Sequence, residues 1–344
     1  MQRNLLTASD GEAAVRSTIR QIGNDEVLRA VSLDDAALIL RYAYLGLHNG
    51  ATRNHPRTRT AVGTARLSTL GGVLPDCGYL GSKTYASCGS ETGFAIALFS
   101  SETARPLAFL EGEAVTRLKG SVTTALVAER WAREDAAVLS VFGTGVQARA
   151  HVEALRRVRP ITQVNVVSRG DASDYVRWVE THVGISARQV AADEAAANGD
   201  IIVAATRAAS PLFDGNLVRP GTFVAALGTS TLDRRELDQA LIDKADRIGV
   251  ELKISAQAEA GDLTGLGDWD TVAELPDILR DQLATRSADR EIRVFKSTGL
   301  GIADIAVAIA AYARLSGEWE TLRARLADKP QNPIPHARKP RRLP

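Results

Sequence analysis

The residues best placed to do chemistry are Gly143-Thr144-Gly145-Val146-Gln147-Ala148, two glycines one position apart followed by a small residue. An apolar run from Ala136 to Phe142 leads into them, and a segment of helical period to Arg159 leads out, stopped by Pro160. A strand that turns sharply into a helix gathers backbone N–H groups and the positive end of a helix dipole at one point. That is an anion site needing no cationic side chain. In this context G-x-G-x-x-A reads as a dinucleotide fingerprint. Gly143 allows the turn, Gly145 lets a pyrophosphate approach the backbone, and Ala148 lets the helix pack closely on the strand.

Gly143, Thr144, Gly145, Val146 and Gln147 are therefore expected to hold the cofactor, together with Thr206 at the end of a later strand. The strand after the fingerprint helix, Gln163 to Val167, runs into Ser168 and Arg169. An acidic side chain there would bond the ribose hydroxyls of NAD, whereas a hydroxyl and a guanidinium suit a 2′-phosphate. NADP is the expected cofactor and NAD the second choice. Asp171 and Asp174 would reverse that preference if their loop folded inward.

The elements that must position these groups alternate along the chain. Short unbroken apolar runs at Ala136–Phe142, Gln163–Val167, Asp200–Ala205 and Thr222–Leu227 are separated by helical stretches, the pattern of a parallel sheet buried on both faces. Ahead of them, Ala37, Leu40, Tyr44 and Leu47 recur at helical spacing behind a capping Ser32. Thr52 to Phe99 is broken by glycines and reads as a β-rich layer. Glu113 to Arg133 returns to helix, with Leu118, Val122, Ala125 and Leu126 on one face. Gly120 weakens that helix by about 1 kcal/mol relative to Ala, which suits a position approached by a ligand or another backbone. A helix around Ile302, Ile305, Ile309 and Tyr312 is apolar nearly all round, so it should be buried, an interface being one place for it.

With 344 residues, two domains are expected. The 42 basic and 41 acidic residues give no field that would collect nucleic acid or a membrane surface, so the expected partner is a small molecule. Nothing reads as a signal peptide or membrane span, and a cytoplasmic location is expected. Cys77 and Cys88 suit neither a disulfide framework nor a metal site. The five histidines show no metal or relay spacing, and His151 is expected on the outer part of the fingerprint helix. Gly81-Ser-Lys83-Thr84 lacks the spacing of a P-loop.

The stretch Leu139 to Leu155, read with Asp200 to Thr206, Val218 to Thr222, Arg235-Glu-Leu-Asp238, Phe295-Lys-Ser-Thr-Gly299 and Asp304, resembles the ornithine cyclodeaminase/mu-crystallin family. The resemblance covers about Arg57 to Leu315. It implies an α/β fold, a Rossmann doubly wound parallel sheet inserted into a second α+β substrate-binding and dimerisation domain. Expected boundaries are 1–118 for the first part of that domain, 119–295 for the Rossmann domain, 296–327 for the returning helix and 328–344 for a disordered tail. A homodimer is implied too.

The family exchanges hydride between nicotinamide and an α-carbon that bears nitrogen and carboxylate. By that resemblance Arg59 and Lys83 hold the substrate carboxylate, joined by Lys119 where relatives carry an arginine. There Lys119-Gly120 replaces an Arg-Thr pair, so a bidentate fork becomes a point charge. Ser230 stands where cyclodeaminases have an acid/base aspartate, and a serine does no carboxylate's proton work near neutrality. Reduction of a ketimine or cyclic imine, or the reverse oxidation of an amino acid, is expected. The alternatives are an ornithine-type cyclodeaminase and a non-catalytic NADP-binding protein of crystallin kind. Glu111 could orient an amino group, but its place at a helix start is the plainer explanation.

Overall fold

The computed structural model describes residues 19–89, 91–281 and 289–327. The tail expected at 328–344 lies outside the described residues.

The glycine-broken segment does form long strands. They are β2 (Arg53–Val62), β3 (Ala65–Leu74), β4 (Tyr79–Cys88) and β5 (Glu91–Ser100), joined by β6 (Pro106–Glu111) and, in parallel beside β6, by β1 (Arg20–Ile22). Their order is β1-β6-β5-β4-β3-β2. Two helices precede β2, α1 (Asn24–Ala30) and α2 (Leu33–Asn49). Ser32 caps α2 through Asp35 N, and Gly50 ends it at φ 79°, a left-handed turn that suits glycine.

After α3 (Glu113–Trp131) the chain builds a second sheet: β7 (Val138–Phe142), α4 (Val146–Val158), β8 (Gln163–Val167), α5 (Ser173–Trp178), β9 (Ser186–Gln189), α6 (Ala192–Asn198), β10 (Ile201–Ala204) and β11 (Phe223–Ala226). It continues through α7 (Gln239–Lys244), β12 (Arg247–Val250), α8 (Lys253–Glu259), β13 (Ala273–Glu274), α9 (Leu275–Arg280) and β14 (Arg293–Lys296). Every pair is parallel, in the order β13-β12-β14-β11-β10-β7-β8-β9. The strand order reverses between β7 and β10, the crevice where such sheets bind ligands. This doubly wound sheet is inserted between the first sheet and α10 (Gly301–Ser316), which returns to that sheet ahead of α11 (Trp319–Ala327). α3 runs unbroken through residues 118–119 and packs on both α2 and α4.

Two helices, α10 and α4, sit differently from the expectation of the sequence. α10 needs no interface: residues 301–311 and 313 are already buried inside this one chain. Its backbone lies directly on β3, because a Cβ at Gly72 would stand 2.6 Å from Ile302 Cα and one at Gly301 would collide with Gly71. His151, expected outside, faces inward and is fully buried between α4 and α3. Its Nδ1 meets the Gln147 carbonyl at 2.8 Å and its Nε2 meets Thr124 Oγ1 at 3.0 Å. His151 stands three positions after Ala148 and four before Leu155, so it shares the buried face of α4 with them.

Candidate active site

The fingerprint turn has the shape the sequence predicts. Gly143 sits at φ 103°, where an added Cβ would stand 2.9 Å from the Ala205 carbonyl at the end of β10. Gly145 opens α4, and a Cβ there would meet nothing within 4 Å. Open space before a helix N-terminus, flanked by the exposed Val146, fits a diphosphate. Thr144 is half-buried, and Ala148 is buried against the sheet.

Thr206 is fixed by Glu236, which accepts from its N–H and its hydroxyl, both at 2.7 Å, and from Gly228 N at 2.7 Å. One buried carboxylate thus ties the loop after β10 to the loop after β11. Burial raises the pKa of Glu236, an effect that Lys296 and these donors only partly offset. Ser168 is half-buried at the end of β8, and Arg169 is exposed. Asp171 is occupied by Ser173, which donates through N and Oγ, and Asp174 pairs with Arg177 at 3.1 Å.

Gln147 links this turn to the second group of residues. Its amide donates to the Thr116 carbonyl at 3.0 Å, and Gly120 leaves room for it: a Cβ there would stand 2.9 Å from Gln147 Oε1. What approaches Gly120 is a side chain of the fingerprint helix.

Beyond Thr116 lie the cations. Lys83 rises from the face of β4 that packs on α10, donates to Thr116 Oγ1 and binds Asp304 Oδ1 at 2.9 Å, with its ammonium 4.5 Å from the centre of the Phe94 ring. Lys119 faces the other oxygen of Asp304 at 3.6 Å. Burial lowers the pKa of Lys83, and Lys119 adds to that, against the pull of Asp304. For Asp304 burial would raise the pKa, but the two ammonium groups outweigh it and hold the carboxyl below the usual range.

On β2, Arg57 and Arg59 share one strand face and one carboxylate. Arg57 pairs with Glu259 Oε2 and donates to the Thr298 and Gly299 carbonyls at 3.0 Å each. Arg59 reaches Glu259 Oε1 at 3.1 Å, the Ser230 carbonyl at 2.9 Å and Ser230 Oγ at 3.2 Å. Burial raises the pKa of Glu259, and the two arginines offset this incompletely. Gly299, at φ 75°, is where the two groups meet: a Cβ there would collide with Lys119 Nζ and stand 3.7 Å from an Arg57 nitrogen.

Arg59, Lys83, Lys119 and Ser230, named from the sequence, are thus brought together, and the fingerprint turn adjoins them. Arg117 points away to Glu153 at 2.8 Å, and Glu111 accepts from Asn24 N at 2.9 Å outside the cluster. The sequence reading left out Arg57, which is more buried than Arg59, and the carboxylates Glu259, Asp304 and Glu236. The alternation Arg57, Arg59 along a strand was the available signal for the first.

Residues 80–318 match the model of the ornithine cyclodeaminase/mu-crystallin family. The chain belongs to that family. Members of the ornithine cyclodeaminase/mu-crystallin family similar to it include a Delta(1)-pyrroline-2-carboxylate reductase of Bacillus cereus, 34% identical over 69% of this chain and 73% of the relative. Among solved structures, a probable ornithine cyclodeaminase of Bordetella pertussis is 34% identical with a TM-score of 0.84, over 88% of this chain and 98% of the other. The Delta(1)-pyrroline-2-carboxylate reductase of Thermococcus litoralis, solved with NADH and L-proline, is 27% identical with a TM-score of 0.83, over 87% and 98%. The chain is a nicotinamide-dependent oxidoreductase of this family.

Proposed function

We propose that this oxidoreductase reduces a ketimine or cyclic imine carrying a carboxylate on its imine carbon, giving the amino acid, with NADP(H) ahead of NAD(H). One observation carries the reading: beside the fingerprint turn, four cations, Arg57, Arg59, Lys83 and Lys119, pair with two carboxylates, Glu259 and Asp304, and with the buried Glu251 held at Thr298 and Gly299 counted as well, one positive charge remains. Such an excess in a buried setting calls for an anionic substrate.

A bound reduced nicotinamide supplies the hydride. The chain's own residues bind and orient. Lys119, with Lys83 beside it on Asp304, and the arginines Arg57 and Arg59 across Gly299 are suited to the α-carboxylate. Ser230 Oγ accepts from Arg59, which leaves its O–H to pass a proton from solvent to the imine nitrogen. No carboxylate stands at position 230, so the deaminating cyclase has no acid/base group there.

Ser168 and Arg169, with Asp171 and Asp174 both engaged elsewhere, favour a 2′-phosphate. The exposed Leu67, Val73 and Phe109 on the six-stranded sheet support a homodimer. Among the described residues no helix is long and apolar enough to cross a membrane, and we place the enzyme in the cytosol.

The test is NADPH consumption with cyclic imines that carry or lack the carboxylate, alongside ammonia release from ornithine. Turnover only of the carboxylated imines is expected. Ammonia from ornithine without net cofactor change would overturn the reading.

A further inference from the structure

Strand β14, inside the parallel sheet, ends on a lysine that reaches no solvent. We propose that Lys296 is a positioning residue for the reduction: its ammonium sets the peptide between Thr229 and Ser230, and so aims the Ser230 hydroxyl at the imine nitrogen. This rests on the proton-passing role of Ser230 in the imine-reductase reading and deepens it.

Lys296 and Asp262 are both wholly buried, with the ammonium 2.6 Å from Asp262 Oδ2. Desolvation offsets most of what such a pair gains by attraction, so apolar residues of the same volume would serve stability as well. The charge is explained by what it holds. Lys296 Nζ donates to the Thr229 carbonyl at 2.8 Å and to Thr229 Oγ1 at 3.3 Å. A peptide unit is planar, so fixing the carbonyl of Thr229 fixes the direction in which the N–H and Cα of Ser230 leave it. Arg59 donates to the Ser230 carbonyl at 2.9 Å and to its Oγ at 3.2 Å. Two cations thus hold Ser230, Lys296 through the preceding carbonyl and Arg59 directly.

The cofactor side of the loop has its own support. Asp262 Oδ1 accepts from Glu236 N at 2.6 Å and Leu237 N at 2.9 Å, and the Glu236 side chain accepts from Thr206 and Gly228. An asparagine at position 262 keeps an oxygen for those two amides. Removing both charges, Lys296→Met with Asp262→Asn, therefore frees the Thr229 carbonyl without leaving a buried charge unpaired or releasing Thr206.

The experiment is a double-variant cycle on NADPH-dependent reduction of 1-pyrroline-2-carboxylate. It compares wild type, Ser230→Ala, the paired variant, and the paired variant with Ser230→Ala added. The paired variant should lose at least about tenfold in kcat, within the range of a proton-transfer contribution, while KM for NADPH stays within about twofold. Ser230→Ala should cost the wild type a similar factor but cost the paired variant less than about twofold, because the hydroxyl it removes is already misaimed. Where the paired variant does not fold, Thr229→Val takes its place: it keeps the side-chain shape, deletes one acceptor of Lys296 and should lower kcat about threefold, a loss that disappears when Ser230→Ala is added. Unchanged kcat in the paired variant, or losses that multiply, would overturn the inference and leave the reductase reading standing. Wild-type kcat in Ser230→Ala would remove the serine from the reaction and the inference with it, and absence of turnover by the wild type with every carboxylated imine would remove the reading itself.

Discussion

Lys83 Nζ stands 2.9 Å from Oδ1 of Asp304, and both side chains are almost wholly buried. The pair spans 221 positions of sequence and fastens α10 to β4. Breaking a buried pair on one side leaves an uncompensated charge, so Asp304→Asn should cost on the order of 3 kcal/mol of stability. The ammonium of Lys83 is the useful form, and its pKa lies below the ordinary lysine value. Affinity for a carboxylate should therefore hold at lower pH and fall as pH rises through that lowered value. A profile of 1/KM should show this alkaline limb below about 10.4, and Asp304→Asn should move it lower still. A wild-type limb at or above the ordinary value would contradict the assignment.

The two fingerprint glycines make opposite predictions. Gly143→Ala places a Cβ at φ 103° and 2.9 Å from a carbonyl, so it should lose about 1–3 kcal/mol of stability. Gly145→Ala meets open space at φ −77°, so denaturation should shift by less than about 0.5 kcal/mol. Its methyl fills the room reserved for the diphosphate, and KM for the cofactor should rise at least about tenfold, a loss of about 1.4 kcal/mol. Thermal melts and cofactor titrations of the two variants decide the point. Unaltered cofactor affinity in Gly145→Ala would displace the diphosphate from this turn.

Arg169 is the expected partner of a 2′-phosphate. Arg169→Ala should raise KM for NADPH by about tenfold, the worth of one charge-assisted contact, and leave KM for NADH within about twofold. A wild-type enzyme with a lower KM for NADH would refute the cofactor preference.

His151 gives a stability signature. Burial lowers its pKa to about 4 from 6.5, and the Gln147 carbonyl at Nδ1 offsets this only in part. A carbonyl can only accept, so the neutral ring donates from Nδ1 and accepts at Nε2 from Thr124. The unfolded chain takes up a proton near pH 6.5, before the folded one does. Stability is then complete above that pH and lost as pH falls toward 4, by on the order of 3 kcal/mol. Chemical denaturation at neutral and mildly acidic pH should show the loss, and His151→Gln should flatten it.

How far the chain could be read in advance follows from what each element rests on. β7, β8, β10 and β11 are apolar runs bounded by turns, and α2 carries its own caps, so local pattern revealed them. β9 is the polar segment Ser186–Gln189 at the sheet edge, and β14 begins and ends on Arg293 and Lys296. Arg293 pairs with Glu291 two positions before it at 2.7 Å, but Lys296 is neutralised by a residue brought from afar, Asp262 at 2.6 Å. The same holds at the site. The cations appear as motifs along the chain, but Glu259 lies 202 positions from Arg57 and Asp304 lies 221 from Lys83, separations that no local spacing encodes.

The most direct test of the whole account follows the hydride. Enzyme would be incubated with NADPH deuterated at C4 and a 2-imino acid, and the product examined by mass spectrometry and proton NMR. One deuterium on the α-carbon of the amino acid is the predicted result. Turnover that leaves the α-carbon without deuterium from either face of the labelled cofactor, or oxidation of cofactor with no amino acid formed, would contradict it.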